Sequence, residues 1–272
     1  MELSSEQVIQ YDRDGFLIFP DLFSEEEVNI LRQETNRISK IKSEMVVREG
    51  EEESVKIMFR MHEESGETAS PAFRAAARTP RVLRAAQQCL HNDELYMHHS
   101  KLNMKAAIEG SAWMWHQDFH AWHLDGIAEP SMATMTVVLT EATALNGCMY
   151  VLPGSHKLGR SDPRRDESTS YKLWVAKTAD MKKYMKQFPD PVAISGGMGT
   201  AAIFNCNLLH ASGHNLSAED RWQIFFCFNQ CKNHPADVET PRPDYVRSRN
   251  WSPLTIGKDD GVISAGKNFI SL

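Results

Sequence analysis

Long apolar runs are missing from this 272-residue sequence. No segment approaches the roughly 18 consecutive apolar residues that identify a membrane-spanning helix. The opening residues, MELSSEQVIQYDRDGF, are polar and acidic, whereas a secretory signal begins with basic residues followed by an apolar stretch. The sequence therefore predicts a cytoplasmic protein that has no membrane partner.

An excess of positive charge is also missing. The 30 lysine and arginine residues are outnumbered by 36 aspartate and glutamate residues, which gives a net charge of -6 at pH 7. A chain with this balance has no overall electrostatic attraction to phosphate backbones. We therefore expect no nucleic-acid partner, and a small molecule remains the expected ligand.

Cysteine is scarce and irregularly spaced. The five cysteines are Cys89, Cys148, Cys206, Cys227 and Cys231. They are odd in number and form no CxxC pair, so neither a disulfide framework nor a cysteine zinc site fits the pattern. The sequence predicts reduced thiols that are mostly packed in the interior.

Repeats, low-complexity tracts and linkers are absent as well. The composition, with 42% hydrophobic and 24% charged residues, is that of a globular protein. We expect one domain over residues 1–272. Its expected parts are a helical N-terminal support over about residues 1–93, a strand-rich core over about 94–235 and a C-terminal arm over about 236–272.

Local signals distinguish helices from strands along the chain. Ser4 with Gln7, and Ser24 with Glu27, have capping-box spacing, so a helix is expected to begin at each serine. Farther along, runs of strand length such as ATMTVVLTEAT and RWQIFFCFNQ alternate with Gly, Pro and Asn turns. This rhythm predicts an antiparallel sandwich or barrel. One charged helix, around TADMKKYMKQFPD, is expected to interrupt the strands.

The stretch WMWHQDFHAWHLDG, which begins at Trp113, carries the strongest chemical signal. Read as a strand, it places His116 and Asp118 on one face, because residues two apart in a strand point the same way. A second histidine must come from elsewhere, and NLLHASGHN supplies His210 and His214. Two histidines and one carboxylate on one face form the facial triad that holds Fe(II) in non-haem oxygenases.

Other interpretations of this stretch remain open. His116 and His120 are four residues apart, as in helical zinc sites, but the glutamate of an HExxH motif is missing and the aromatic neighbours favour strand and loop. An isolated HxD pair is also often two unrelated residues. His120 and His123 are expected in a loop that lines the cavity. The pattern does not decide whether these two residues or His214 contact a substrate.

An arginine, Arg221, opens the apolar segment RWQIFFCF. Its position in an apolar strand predicts a buried anionic partner, and a planar guanidinium pairs with a carboxylate through two parallel hydrogen bonds. A dicarboxylic cosubstrate that chelates iron needs such a cation at its far end. Ser212 lies between His210 and this arginine, and we expect it to add a hydroxyl donor.

Four segments together resemble the phytanoyl-CoA dioxygenase family of Fe(II)- and 2-oxoglutarate-dependent oxygenases. They are QVIQYDRDGFLIFPDLFSEEEV, WHQDF, LTEATALNGCMYVLPGSHKLG and LHASGHNLSAEDRW. The WHQDF segment and the late PRPDYV arm are most similar to the ectoine hydroxylase and free amino-acid hydroxylase branch. The resemblance implies a mainly β fold with bracing α-helices, namely a cupin-like double-stranded β-helix, or jelly roll.

The resemblance also implies roles for individual residues. The implied iron ligands, which are the catalytic residues, are His116, Asp118 and His210. The implied 2-oxoglutarate contacts are Arg221, Ser212, Asn103 and Lys101. The implied substrate contacts are Trp122, His99, Arg242 and Tyr245. Among these, His99 departs from the family pattern, since relatives carry glutamine at this place, and the difference bears on which substrate the site accepts.

The implied activity is hydroxylation of an unactivated C–H bond, with Fe(II) as cofactor, 2-oxoglutarate and O2 as cosubstrates, and succinate and CO2 as products. Asp118 favours hydroxylation over halogenation, because halogenases of this superfamily replace the carboxylate by a small residue. Arg242 is expected to bind an anionic substrate group. That expectation suits a small polar or zwitterionic metabolite, such as an amino acid, an ectoine-like compound or an aminophosphonate.

Two alternative functions remain. One is an acyl-CoA hydroxylase of the phytanoyl-CoA type, for which the sequence offers no clear basic cluster to bind the nucleotide phosphates. The other is a non-catalytic jelly-roll binding protein. In each case we expect a monomer or a homodimer.

Overall fold

A computed structural model describes residues 2–168 and 171–267. Over these ranges the helices are Ser5–Asp14 (α1), Glu25–Ile38 (α2), Pro71–Arg78 (α3), Pro80–Leu90 (α4), Asp118–Leu124 (α5), Thr178–Gln187 (α6) and Gly261–Lys267 (α7). The strands are Phe16–Phe19 (β1), Val46–Glu49 (β2), Ser54–Phe59 (β3), Leu95–Lys105 (β4), Trp113–His116 (β5), Met132–Val138 (β6), Met149–Val151 (β7), Arg164–Asp166 (β8), Leu173–Val175 (β9), Val192–Ile194 (β10), Ala201–Asn205 (β11), His210–Ser212 (β12) and Arg221–Gln230 (β13).

Two antiparallel sheets face each other across an apolar interior. The larger sheet has the strand order β1-β11-β6-β13-β4-β3-β2, and the smaller sheet has the order β10-β7-β12-β5. Phe204 and Phe225 of the larger sheet pack between the sheets against Met149 and Val151 of the smaller sheet. Facing antiparallel sheets of this kind form a jelly roll, as the strand rhythm of the sequence predicts. Strands β8 and β9 form a separate hairpin.

Helices cover the outer face of the larger sheet. Both predicted N-terminal helices form, and each has a complete capping box, between Ser4 and Gln7 and between Ser24 and Glu27. Helix α4 begins at Pro80, where the missing N–H costs no helical hydrogen bond. The apolar sides of α1 to α4 and α7 form one continuous buried cluster with the sheet. The predicted helix around TADMKKYMKQFPD is α6, which packs outside the smaller sheet.

Strands from the N-terminal quarter extend the predicted strand-rich core. Strand β1 pairs with β11, and β3 pairs with β4. The charged stretch that contains β2 and β3 is a strand pair. Pairing between such distant segments depends on which sheet edges are available, which a local pattern does not report.

The WMWHQDFHAWHLDG stretch is not one strand. Strand β5 ends at His116, and Asp118 is the first residue of α5, so the prediction that both lie on one strand face is wrong. His120 and His123 are likewise on the helix and not in a loop. The cause is the burial of Phe119 and Trp122 in one apolar cluster, because side chains three residues apart share a face only in a helix.

The polypeptide of the C-terminal arm packs against the end of α5 at Gly126. This glycine has a φ of +101°, and a Cβ at its position would lie 2.2 Å from the carbonyl oxygen of Ala236. The amide of Ala236 in turn donates to the carbonyl of Gly126 at 3.0 Å. Only glycine permits both the left-handed backbone and this close approach.

The thiol prediction is confirmed over the described part of the chain. All five cysteines are free, and only Cys231 among them is not fully buried. Within residues 2–168 and 171–267, the helices are too short or too polar to cross a membrane.

Candidate active site

Strands β5 and β12 are neighbours in the smaller sheet, and His116 and His210 are direct partners across them. Their ring centroids are 4.1 Å apart. Oδ1 of Asp118 lies 3.8 Å from Nε2 of His116, and Oδ2 lies 3.9 Å from Nε2 of His210. One potential ligand atom from each residue lies within 4.8 Å of those of the other two, so a single ion can contact all three. The structure therefore brings the three predicted iron ligands together.

Hydrogen bonds orient both imidazole rings toward this point. Nδ1 of His116 donates to the carbonyl of Met114 at 2.7 Å, and Nδ1 of His210 donates to the carbonyl of Leu208 at 2.9 Å. A carbonyl only accepts, so Nδ1 carries the proton and Nε2 has an available lone pair. Oδ2 of Asp118 is buried without a hydrogen-bond partner among the described residues. Two imidazole nitrogens and one carboxylate oxygen are a suitable donor set for Fe(II).

The charge states of the three residues also suit a metal. Burial lowers the pKa of His116 to about 3, and it lowers the pKa of His210 as well. Burial alone would raise the pKa of Asp118, but the charges of Lys101, His210 and His116 outweigh it and hold that pKa well below its usual range. Nζ of Lys101 lies 3.5 Å from Oδ1 of Asp118. Neutral imidazoles and an ionised carboxylate are the forms that bind metal ions.

A row of polar side chains on β4 and β13 faces these residues. The cross-strand pairs of the row are Lys105 with Arg221, Asn103 with Gln223, Lys101 with Phe225 and His99 with Cys227. Arg221 is only 2% exposed, and its Nη1 donates to Oε1 of Gln223. Nε of Arg221, Oδ1 of Asn103 and Nε2 of Gln223 are buried without partners in the described chain.

One cavity joins this row to the two histidines. Besides His116 and His210, its lining includes Lys101, Asn103, Trp113, Ser212, Arg221 and Gln223. Burial lowers the pKa of Arg221 to about 10, so its guanidinium remains charged at neutral pH. No described carboxylate forms an ion pair with it. A buried cation that lacks a counterion creates a strong site for an anion.

Sequence reasoning missed two residues of this row, Gln223 and Lys105. Both are two positions from a predicted residue on the same strand, so the alternation of strand faces could have identified them. Lys105 is 1% exposed, and its Nζ donates to the carbonyl of Gly213. Burial and the neighbouring charge of Arg221 lower the pKa of Lys105 to about 6. The two basic residues together increase the affinity of this end of the cavity for an anion.

The predicted substrate residues lie beyond Lys101 along β4. Trp122 is 1% exposed, and its ring centroid is 5.6 Å from that of His99. Nδ1 of His99 hydrogen-bonds the carbonyl of Val246 at 3.0 Å. The ring of Tyr245 packs 5.7 Å from that of Phe59.

Arg242 forms an ion pair that the sequence did not predict. Its Nε and Nη2 donate to Oδ2 of Asp125 at 2.8 and 2.6 Å, and its backbone amide donates to Oδ1 at 2.9 Å. Burial alone would lower the pKa of Arg242, but Tyr171 and Asp125 outweigh it and raise that pKa. The ion pair connects the C-terminal arm to the end of α5 and fixes the position of the guanidinium.

The remaining histidines of the two motifs have other neighbours. The ring of His120 packs 5.1 Å from that of Trp174, and Nδ1 of His123 hydrogen-bonds the carbonyl of Ile127 at 2.9 Å. His214 is exposed. Of the two histidines in NLLHASGHN, only His210 belongs to the group around Asp118.

Comparison with known proteins places this geometry in a family. The sequence profile of phytanoyl-CoA dioxygenase (PhyH) matches residues 11–222. Ectoine dioxygenase from Nocardia farcinica is 32% identical over 268 residues, which cover 93% of this chain and 88% of that protein. L-Proline trans-4-hydroxylase from Streptomyces griseoviridis is 31% identical over 262 residues, which cover 90% of this chain and 93% of that protein.

Solved structures agree with the sequence matches. EctD from S. alaskensis, crystallised with 2-oxoglutarate and 5-hydroxyectoine, matches with a TM-score of 0.79 and 29% identity over 93% of this chain and 86% of that chain. The jelly-roll fold is therefore confirmed. The chain belongs to the phytanoyl-CoA dioxygenase family of Fe(II)- and 2-oxoglutarate-dependent oxygenases.

Proposed function

We propose that the protein is an Fe(II)- and 2-oxoglutarate-dependent dioxygenase that hydroxylates a C–H bond of a small zwitterionic metabolite and releases succinate and CO2. The observation that carries this proposal is the convergence of two imidazole lone pairs and a carboxylate beside a buried arginine that lacks a carboxylate partner in the described chain. The names of the relatives add that ectoine and L-proline are substrates of similar proteins. We further expect the protein to act in the cytoplasm as a monomer or homodimer.

His116, Asp118 and His210 are the proposed iron ligands. They approach the ion from one side, which leaves the other coordination positions for the cosubstrates. When bound, Fe(II) supplies the centre at which 2-oxoglutarate is decarboxylated and O2 is activated. The carbonyls of Met114 and Leu208 hold the imidazole rings in the metal-binding tautomer.

Arg221, Ser212, Asn103 and Lys101 are the proposed 2-oxoglutarate contacts, and Gln223 joins them. The guanidinium of Arg221 pairs with the far carboxylate of the cosubstrate, and the Ser212 hydroxyl donates to the same group. Asn103 contributes an amide near the middle of the cavity. Lys101 keeps Asp118 ionised and offers a positive charge to the end of the cosubstrate that binds iron.

Aromatic rings around Lys101 exclude water from the reacting centre. Nζ of Lys101 lies 5.9 Å from the ring centroid of Trp113 and 5.3 Å from that of Phe225. A dry surrounding strengthens the electrostatic contacts and limits side reactions of the activated centre. Trp122, His99, Arg242 and Tyr245 are the proposed substrate contacts.

A succinate-release assay tests the proposed function. We expect the protein loaded with Fe(II) and 2-oxoglutarate to release succinate slowly in air, and to release it faster with at least one compound from a panel of amino acids, ectoine and aminophosphonates. The hydroxylated product is then identified by mass spectrometry. Stimulation by an acyl-CoA alone would support the alternative hydroxylase. Iron binding without any succinate would contradict the proposal and support a non-catalytic jelly roll.

The Arg242–Asp125 ion pair predicts a stability effect. The side chain of Asp125 is 1% exposed, so Asp125→Asn leaves a partly buried guanidinium without its counterion. We expect the free energy of unfolding to fall by about 3 kcal/mol, as measured by chemical denaturation. The control is Asp259→Asn, because Asp259 also pairs with an arginine but is 70% exposed, and this change should cost less than about 1 kcal/mol. Equal losses in the two variants would refute the structural role of the ion pair.

A further inference from the structure

A β-bulge in β4 turns two consecutive histidines toward the interior. Cys227 pairs with His99 and Phe228 pairs with Met97, so His98 is an extra residue on β4. Met97 packs in the cluster beneath the helices. The rings of His98 and His99 lie together on the opposite side, with centroids 5.4 Å apart. Regular alternation would have placed only one of them there.

The two rings are buried with three unpaired nitrogen atoms. His98 is 0% exposed and His99 is 3% exposed. Both ring nitrogens of His98, and Nε2 of His99, have no hydrogen-bond partner among the described residues. Buried polar atoms are nearly always paired, and leaving them unpaired costs free energy. An apolar side chain would fill the same space without this cost, so the pair is suited to a partner from outside the chain.

The hydrogen bond to Val246 fixes which kind of partner His99 accepts. Its Nδ1 lies 3.0 Å from the Val246 carbonyl, and a carbonyl cannot donate, so Nδ1 carries the proton. Burial lowers the pKa of His99 and lowers that of His98 to about 3, so both rings are neutral near pH 7. In a neutral ring with Nδ1 protonated, Nε2 only accepts. Glutamine, by contrast, offers both a donor and an acceptor.

A series of aromatic contacts connects His99 with the proposed iron site. Ring centroids are 6.3 Å apart between His116 and Trp113, and 5.5 Å apart between Trp113 and Tyr171. The series continues from Tyr171 to Phe59 at 6.3 Å, and from Phe59 to His99 at 6.4 Å. Aromatic faces attract cationic nitrogen groups. The accepting nitrogen of His99 therefore lies at the end of an aromatic wall that begins at a proposed metal ligand.

We propose that His98 and His99 are a specificity pair that selects substrates bearing an N–H group on a cationic nitrogen, such as an ammonium or amidinium, with Nε2 of His99 accepting the hydrogen bond. His98 supplies a second polar contact. This inference rests on the proposed function and identifies the class of substrate that the site binds. Trp122 packs against both rings, at 5.3 and 5.6 Å, so the substrate reaches them only when this indole moves aside.

The first test measures the tautomer of His99 independently of turnover. Protein labelled with 15N-histidine is loaded with diamagnetic Zn(II) and 2-oxoglutarate, and the His99 signals are assigned by their loss in His99→Gln. We expect Nδ1 to be protonated and Nε2 to appear as an unprotonated nitrogen at pH 7. A proton on Nε2, in either a neutral or a charged ring, would overturn the proposal whatever the substrate.

The second test compares binding of matched compounds to the same Zn(II) complex by calorimetry. Each small amino acid, including L-proline, is paired with its fully N-methylated betaine, which keeps the charges but has no N–H. We expect at least one amino acid to bind about tenfold or more tightly than its betaine, since the methylated form leaves Nε2 unpaired. Equal affinities throughout, or no binding by any amino acid, would overturn the proposal.

Variants separate the two histidines. His99→Gln is expected to reduce the preference for N–H to near unity, whereas His98→Phe, which keeps an aromatic ring, should weaken binding several-fold without changing the preference. His62→Gln is the matched control, because His62 is hydrogen-bonded to Ser100 on the other face of β4. Succinate release without substrate is measured in parallel. If that release persists while selectivity is unaffected by His99→Gln, the specificity pair is refuted and the proposed function stands.

Discussion

Replacing Asp118 with alanine is expected to abolish stoichiometric iron binding and to reduce succinate release to background. The carboxylate provides one of three converging ligand atoms, and its two oxygens face two different histidines. Changes in residues that merely support metal ligands already weaken metal binding by about 10- to 100-fold, so removal of a ligand should exceed about 100-fold. Iron content after gel filtration and succinate release are the two measurements.

The control for this variant must separate loss of the ligand from loss of structure. Asp118→Ala also leaves Lys101, which is 12% exposed in its side chain, without its anionic partner. Lys101→Met in the Asp118→Ala background removes that charge, and the double variant should regain thermal stability but not iron. Unchanged iron affinity in either variant would show that Asp118 is not a ligand.

Replacing Arg221 with alanine is expected to raise the dissociation constant for 2-oxoglutarate by about 100-fold or more. A buried charge pair that loses one partner typically costs 2 to 5 kcal/mol, which is about 30-fold to several-thousand-fold in affinity. Arg221→Lys keeps the charge but loses the planar fork, so an intermediate loss is expected. Binding is measured by calorimetry on the Zn(II)-loaded protein, which separates affinity from turnover.

Arg32→Ala is the matched control for Arg221→Ala. Arg32 contacts the ring of Trp222, the next residue along β13, whose side chain points to the other face of the sheet. Its loss should leave the affinity for 2-oxoglutarate within about twofold, as is usual for a residue outside the binding cavity. If the two substitutions weaken binding equally, the proposed carboxylate contact is wrong.

Local sequence signals account for the parts of the fold that were predicted. Ser4 and Ser24 mark helix starts because a capping box is complete within four residues. His116, Asp118 and His210 could be grouped because few residue types bind Fe(II) and because strands of a closed double sheet return to the same end. Arg221 was identifiable because a guanidinium in an apolar strand requires a partner.

The features that were not predicted depend on distant contacts. Asp118 lies on a helix because Phe119 and Trp122 pack into a cluster that includes Cys206 and Cys227 from other strands. The bulge at His98 exists only in the pairing of β4 with β13. The partner of Arg242 is 117 residues away in sequence. None of these contacts leaves a periodic signature in its own segment.

The direct cross-strand pairing of His116 with His210 gives bound metal a role in folding. A slip of one residue between β5 and β12 would turn one imidazole to the opposite face, so only the native alignment offers both nitrogens to the same ion. An ion that binds this alignment stabilises it in proportion to its occupancy. Iron supply in the cell would then control how much of the newly made protein completes its smaller sheet, as well as how fast the finished enzyme works.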